Sequence, residues 1–136
     1  MKMTIIIPIK KIEKFNNEAI KEYAKRLSRY CKLTIVKATS ESEAIKKTPT
    51  NSYIIGVSSS CDTLSSEQLS ETIKTLGING QSSISFVLID NIEQLTHYDM
   101  LISISKMKLS KDLEAVIMLE QIYRSYRIMN NQTYHK

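Results

Sequence analysis

Few residues of this chain have types and spacings that could do chemistry, and most of those stand singly. Asp90, Glu93 and Asp99 share one stretch after an apolar run, and carboxylates gathered on a loop are the ligands a hard cation takes. Acids in such a place are more often simply hydrated, so no metal site is expected. The only other candidate ligands are Cys31, Cys61, His97 and His135. They form no C-x-x-C or H-x-x-x-H spacing, and a single zinc ion would consume all four. His97, between Thr96 and Tyr98, reads as a surface histidine, and Cys61 as loop packing. No Ser/His/Asp set has a spacing signal. The three glycines, Gly56, Gly77 and Gly80, satisfy neither the dinucleotide fingerprint nor the phosphate-binding loop.

The basic residues carry more information. Lys21, Lys25 and Arg29 recur at four-residue steps, which places them on one helical stripe, with Arg26 and Lys32 beside it. Glu18 and Glu22 partly neutralise that stripe. Near the other end, Tyr123-Arg124-Ser125-Tyr126-Arg127 interleaves arginines with tyrosines, and the sequence ends Tyr134-His135-Lys136. Cations that meet phosphates and rings that stack on bases suit unpaired RNA. The same tyrosines, at three-residue spacing, serve equally well as core or dimer-face residues.

Charge distribution agrees with an anionic partner. The 136 residues carry a net charge of +5, made of a basic first part, an acidic middle and a basic end. Residues 1–50 hold 12 Lys/Arg against 5 Asp/Glu, residues 51–100 hold 1 against 6, and residues 101–136 hold 6 against 3. Charge-complementary self-association would also use such asymmetry. Two cysteines give no disulfide framework, and no apolar run approaches the length of a membrane span. Reduced thiols in the cytoplasm are the expectation.

The elements that must position these residues alternate in period. Thr4–Pro8, Leu33–Val36, Tyr53–Val57, Ile84–Ile89 and Leu101–Ile104 read as strands. Helices are expected from about Asn17 to Tyr30 and over Glu41–Lys47. A third follows Ser65, whose Ser65-Ser66-Glu67-Gln68 fits a capping box, and Gly77 is expected to terminate it. Ser110 opens a last helix to about Asn130, apolar nearly all round over Ala115–Leu119. Continuous apolar strands alternating with helices predict one α/β domain over residues 1–136, with a mainly parallel sheet and flanking helices. The two-sided last helix points to a second subunit.

Whole segments, Ile20–Tyr30, Leu64–Glu67, Ser103–Met107, Leu119–Arg127 and the terminal Tyr134-His135-Lys136, resemble the RlmH family. These are SPOUT-class methyltransferases that modify a ring nitrogen of a pseudouridine in large-subunit ribosomal RNA. The resemblance runs collinearly over nearly the whole chain. It implies a fold with a C-terminal trefoil knot and a homodimer built on the last helix. It also implies a pocket for S-adenosylmethionine formed by Val57, by Ile89 and Asp90, and by the loop Ile104, Ser105, Lys106, Met107, Lys108 and Leu109. RNA contacts are expected from Lys21, Lys25, Arg26, Arg29, Arg124, Arg127, His135 and Lys136, with Tyr134, His135 and Lys136 on the rim of the active site.

Departures from the family pattern gather at that pocket. Where relatives read Phe-Val-Ile-Gly-Gly after the fourth strand, this chain has Phe86-Val87-Leu88-Ile89-Asp90, and a β-branched residue cannot replace the close backbone approach of glycine. The following connection is shorter, a Pro-His pair is Ser110-Lys111, the third-strand turn is Ser58-Ser59-Ser60-Cys61, and an early glycine is Ile9. An arginine one turn on from the Pro-His pair is Glu114, which reverses a charge where RNA or substrate should sit. The expectation is an RlmH-like dimer that binds ribosomal RNA or the ribosome without methyl transfer and needs no cofactor. The alternative is an active S-adenosylmethionine-dependent methyltransferase.

Overall fold

In the computed structural model, residues 1–131 are described. Ten elements follow one another: β1 (Lys2–Pro8), α1 (Lys14–Leu27), β2 (Lys32–Ala38), α2 (Glu41–Lys46), β3 (Tyr53–Val57), α3 (Ser66–Ile78), β4 (Ser83–Leu88), a 3-10 turn (Ile92–Gln94), β5 (Met100–Ile102) and α4 (Lys111–Met129). The strands form one sheet in the order β2-β1-β4-β3-β5, parallel throughout. Each expected strand is present, Tyr53–Val57 with the expected bounds and no end of the others displaced by more than two residues.

Parallel strands need both faces covered, and this sheet divides its side chains accordingly. Met3, Ile5, Ile7, Ile55, Val57, Ile84, Phe86 and Leu88 point into the main core, under α1, α3 and α4. Ile6, Ile54 and Val87 face the other way, onto Ala38 at the end of β2 and Ala44 of the short α2. The period-two alternation of burial thus splits one sheet between two cores of unequal size. Gly56 permits a close approach inside β3, since a Cβ there would lie 2.8 Å from side-chain carbons of both Leu95 and Leu101.

Three boundaries differ from the sequence expectation. Helix α1 starts and ends three residues early. Its first turn is anchored by Asp112, whose carboxylate accepts the Glu13 amide at 2.9 Å, a contact spanning 99 residues. At its end Tyr30 keeps the apolar spacing but lies in a turn, stacked on Tyr126 with ring centroids 5.3 Å apart. The capping box at Ser65 and Gln68 forms as expected. Gly77 is not the terminator: α3 continues through Ile78, and Gly80 takes the positive φ of 88°. The Gly80 amide bonds to the Gly77 carbonyl and the Gln81 amide to Leu76, which is the Schellman arrangement.

Helix α4 packs against both α1 and α3. Ala115, Met118, Leu119 and Ile122 are buried, whereas Val116 and Ile117 are half-buried and Leu113 is 38% exposed. The apolar stretch is therefore covered on one side and open on the other. No helix among the described residues is long and apolar enough to cross a membrane.

Candidate functional site

The C-terminal ends of β3, β4 and β5 bring together the three segments expected around a cofactor. The Ile89 amide donates to the Val57 carbonyl at 3.0 Å, and the Ser58 amide to the Ile102 carbonyl at 3.0 Å. The loop from Ile104 to Leu109 closes over these ends. It is shaped by Ser103, whose hydroxyl donates to the Ser105 carbonyl at 2.6 Å, and by Ser105, whose hydroxyl accepts the Met107 amide at 3.1 Å. Ser103 also pairs across to Thr63, and its amide donates to the Asp62 carbonyl at 2.8 Å. Lys106 reaches the Cys61 carbonyl at 3.2 Å. Val57, Ile89, Asp90 and the 104–109 loop are thus neighbours, although up to 52 positions separate them in sequence.

Charged side chains of the chain itself pair at the turn that follows β4. Ile89 is fully buried. The next two amides, of Asp90 and Asn91, both donate to the Glu41 carboxylate from the first turn of α2, at 2.7 and 3.1 Å. The Asp90 carboxylate turns the other way, to Lys111 at 2.7 Å and Lys108 at 3.7 Å. Lys111 also holds Glu114 one turn along α4, at 3.0 Å.

Burial and pairing set the titration of this cluster. Burial opposes the charge of Lys111, but bonds to Asp90 and Glu114 outweigh it and raise its pKa. Asp90 is likewise opposed by burial and is lowered by its two lysines. Glu114 differs in sign. Its burial dominates, and with Asp90 and Glu41 adding like charge its pKa is raised in spite of Lys111.

The other loop acids have separate tasks. Asp99 grips the β3 edge, its carboxylate accepting the Ile54 amide and its own amide donating to the Ile54 carbonyl, each at 2.8 Å. Glu93 is exposed in the 3-10 turn, and His97 is exposed. Among the described residues no group of three His, Cys, Asp or Glu side chains could hold a metal ion.

The basic candidates fall into two sets. Lys21 and Lys25 are exposed on α1 as the four-residue spacing predicts, and Arg29 is exposed in the turn just after it. Arg26 and Arg124 carry partners on their own helices, Glu22 at 2.9 Å and Glu120 at 3.0 Å. Arg26 and Arg127 meet over one ring: their guanidinium carbons lie 5.8 and 6.0 Å from the Tyr123 centroid. That contact ties the α1 stripe to the arginine–tyrosine run of α4. Tyr134, His135 and Lys136 lie outside the described residues. A cleft of about 360 Å³ between Ser65, Glu67, Ile104, Gln121 and Arg124 adjoins the 104–109 loop.

A family model described as "Predicted SPOUT methyltransferase" matches residues 1–135. The chain belongs to the SPOUT methyltransferase family. Its parallel sheet with flanking helices agrees with that family's α/β fold. Curated relatives carry the name ribosomal RNA large subunit methyltransferase H. The "H 1" protein of Thermoanaerobacter sp. (strain X514) is 41% identical over 126 residues, 93% of this chain and 92% of the relative. Those of Clostridium tetani and Clostridium novyi are 35% and 37% identical over alignments of 159 positions that span all of both chains. This SPOUT chain is an RlmH-like member, as the collinear segments imply. Sequence reasoning singled out Lys111, Asp90 and, as a reversed charge, Glu114, but missed Glu41. No local signal marks Glu41, which acts on amides 49 and 50 positions away.

Proposed function

We propose that this chain is an RlmH-like SPOUT protein of the cytoplasm that binds ribosomal RNA as a knotted homodimer, with its methyl-donor pocket closed by its own side chains. One observation carries the reading: the Glu41 carboxylate takes both amides of the Asp90–Asn91 turn. Backbone donors at that turn are what a bound cofactor would need. An internal carboxylate already satisfies them, and a charge-assisted bond of this kind is stronger than a neutral one. The residues present therefore do not fit S-adenosylmethionine. A fully buried Ile89 stands where the family pattern has a glycine, and Lys111 pairs with the neighbouring Asp90.

Binding of RNA rests on Lys21 and Lys25 of α1, which have no ion pair among the described residues, and on Arg127 at Tyr123. The dimer rests on the open side of α4, where Leu113 and Ile117 form an apolar strip. Titration calorimetry with S-adenosylmethionine tests the closed pocket. The expected result is no binding stronger than about 1 mM, roughly 4 kcal/mol; micromolar affinity would overturn it. Co-sedimentation with ribosomes tests the partner, and absence of association at low salt would refute it, because phosphate-driven binding is strongest there.

An active methyltransferase is the second reading. The convergence of Val57, Ile89 and the 104–109 loop favours it, as does the name borne by a relative that this chain matches nearly end to end. A new methyl mark on ribosomal RNA incubated with protein and cofactor, read by mass spectrometry, would replace the first reading with this one.

A further inference from the structure

The opposite pole of the sheet, about 20 Å from the Asp90 turn along strands of this length, carries a second concentration of positive charge. Lys2 and Lys32 are register partners at the first positions of β1 and β2. Both are exposed, and neither has an ion pair among the described residues. Two ammonium groups facing each other across neighbouring strands repel.

Lysines on an edge strand commonly guard it against pairing with another chain. That accounts for Lys32 on β2, an edge strand, but not for Lys2, because β1 is flanked by β2 and β4. The two lysines line a pair of clefts that meet at them. One, of about 710 Å³, adds Arg29 from the end of α1. The other, of about 350 Å³, adds the polar side chains of Thr34, Asn51 and Ser82. No Asp or Glu lines either cleft.

We propose that this groove, with Lys2, Arg29 and Lys32 as its cations, is a phosphate-binding site that takes the backbone of an RNA strand. Arg29 belongs to both this groove and the stripe on α1. The line Lys21–Lys25–Arg29 runs toward the N-terminal ends of the strands, since α1 lies between the C-terminal end of β1 and the N-terminal end of β2. A strand lying on the stripe is led directly onto Lys32 and Lys2, where hydroxyl and amide groups supply hydrogen bonds to phosphate oxygens. The RNA identity of the ligand rests on the reading given above, whereas the anion site stands on its own geometry.

Two measurements separate them. In the first, the double variant K2Q/K32Q and the double variant K21Q/K25Q are titrated with single-stranded ribosomal RNA fragments across a salt series. Melting temperatures confirm that the exposed substitutions leave the fold intact. Each lost phosphate contact lowers the salt slope by roughly 0.7, so K2Q/K32Q is expected to lower it by about 1.4 and to weaken low-salt binding about tenfold. An unchanged slope for K2Q/K32Q, beside a reduced one for K21Q/K25Q, overturns the groove while leaving RNA binding intact. In the second, the wild-type amides are followed by NMR during titration with inorganic phosphate. Saturable shifts at Lys2, Lys32 and Ser82 support the site even if RNA does not bind. Shifts that avoid these residues, or that K2Q/K32Q leaves in place, overturn it.

Discussion

The carboxylate of Glu41 sits 2.7 Å from the amide of Asp90, so the first turn of α2 fixes the conformation of the loop that follows β4. Glu41 is half-buried, and a hydrogen bond to a charged group at such a site is worth about 1–2 kcal/mol. Glu41→Gln keeps one acceptor oxygen in place and removes the charge. A loss of about 1 kcal/mol in denaturant unfolding is expected, with faster hydrogen exchange at Asp90 and Asn91. S-adenosylmethionine affinity is not expected to appear in this variant, because the buried Ile89 still replaces the glycine of the family pattern. If calorimetry detects binding in Glu41→Gln, the carboxylate alone closes the pocket.

Lys111 is shared by Asp90 and Glu114, and its removal leaves Glu114 buried without a cation. Breaking a buried pair from one side costs more than the pair contributes. Lys111→Ala is therefore expected to lose about 2 kcal/mol at neutral pH, moderated by solvent at the half-exposed Asp90. The loss has a sign in pH. Glu114 already has a raised pKa, and without Lys111 it rises further, so the carboxyl becomes neutral as pH falls. The penalty of Lys111→Ala then shrinks on acidification. Glu114→Gln in the same background removes the charge outright, and the double variant is expected to regain most of the loss. Stability curves at several pH values check both statements.

Asp112 behaves in the opposite sense. Burial resists its ionisation, but bonds from Asn16, the Glu13 amide, Ser110 and the Leu113 amide outweigh this and hold its pKa at about 2. A carboxyl lowered on folding contributes stability above its unfolded pKa of about 3.9 and loses it as pH falls through the folded value. The contribution, about 2 kcal/mol, is thus present above about pH 5 and disappears progressively toward pH 2. Asp112→Asn is expected to lower the melting temperature at pH 7 and to make little difference near pH 2. Equal destabilisation at both pH values would contradict it.

The legible and illegible parts of this chain divide by range of interaction. Strands showed as continuous runs such as Tyr53–Val57, because burial on both faces removes any need for polar alternation. The capping box at Ser65 is closed within four residues, so its pattern was complete in the sequence. The start of α1 was not, because it depends on Asp112, almost a hundred positions away. Gly77 and Gly80 are equally plausible terminators by type, and only the positive φ of Gly80 distinguishes them. At the site, Ile89 and Asp90 stood out as departures from a family pattern, whereas Glu41 looked like an ordinary acid opening a helix. Its function follows from the chain crossing that brings α2 beneath the β4 turn.

The open strip of α4 gives the last prediction. Leu113 and Ile117 lie on the helix face turned away from the core, and each retains exposed apolar surface. Burying such side chains is worth about 25 cal/mol per Å² of apolar area. A two-fold contact presents each residue twice, so one charge introduced there is desolvated twice on association. Ile117→Glu is therefore expected to convert a dimer into a folded monomer, seen as a halved mass in light scattering with an unchanged circular dichroism spectrum. Lys74→Gln, an equal-sized charge change at an exposed position of α3, serves as the control and is expected to leave the mass alone. A wild-type protein that is monomeric at high concentration would remove α4 as the dimer face.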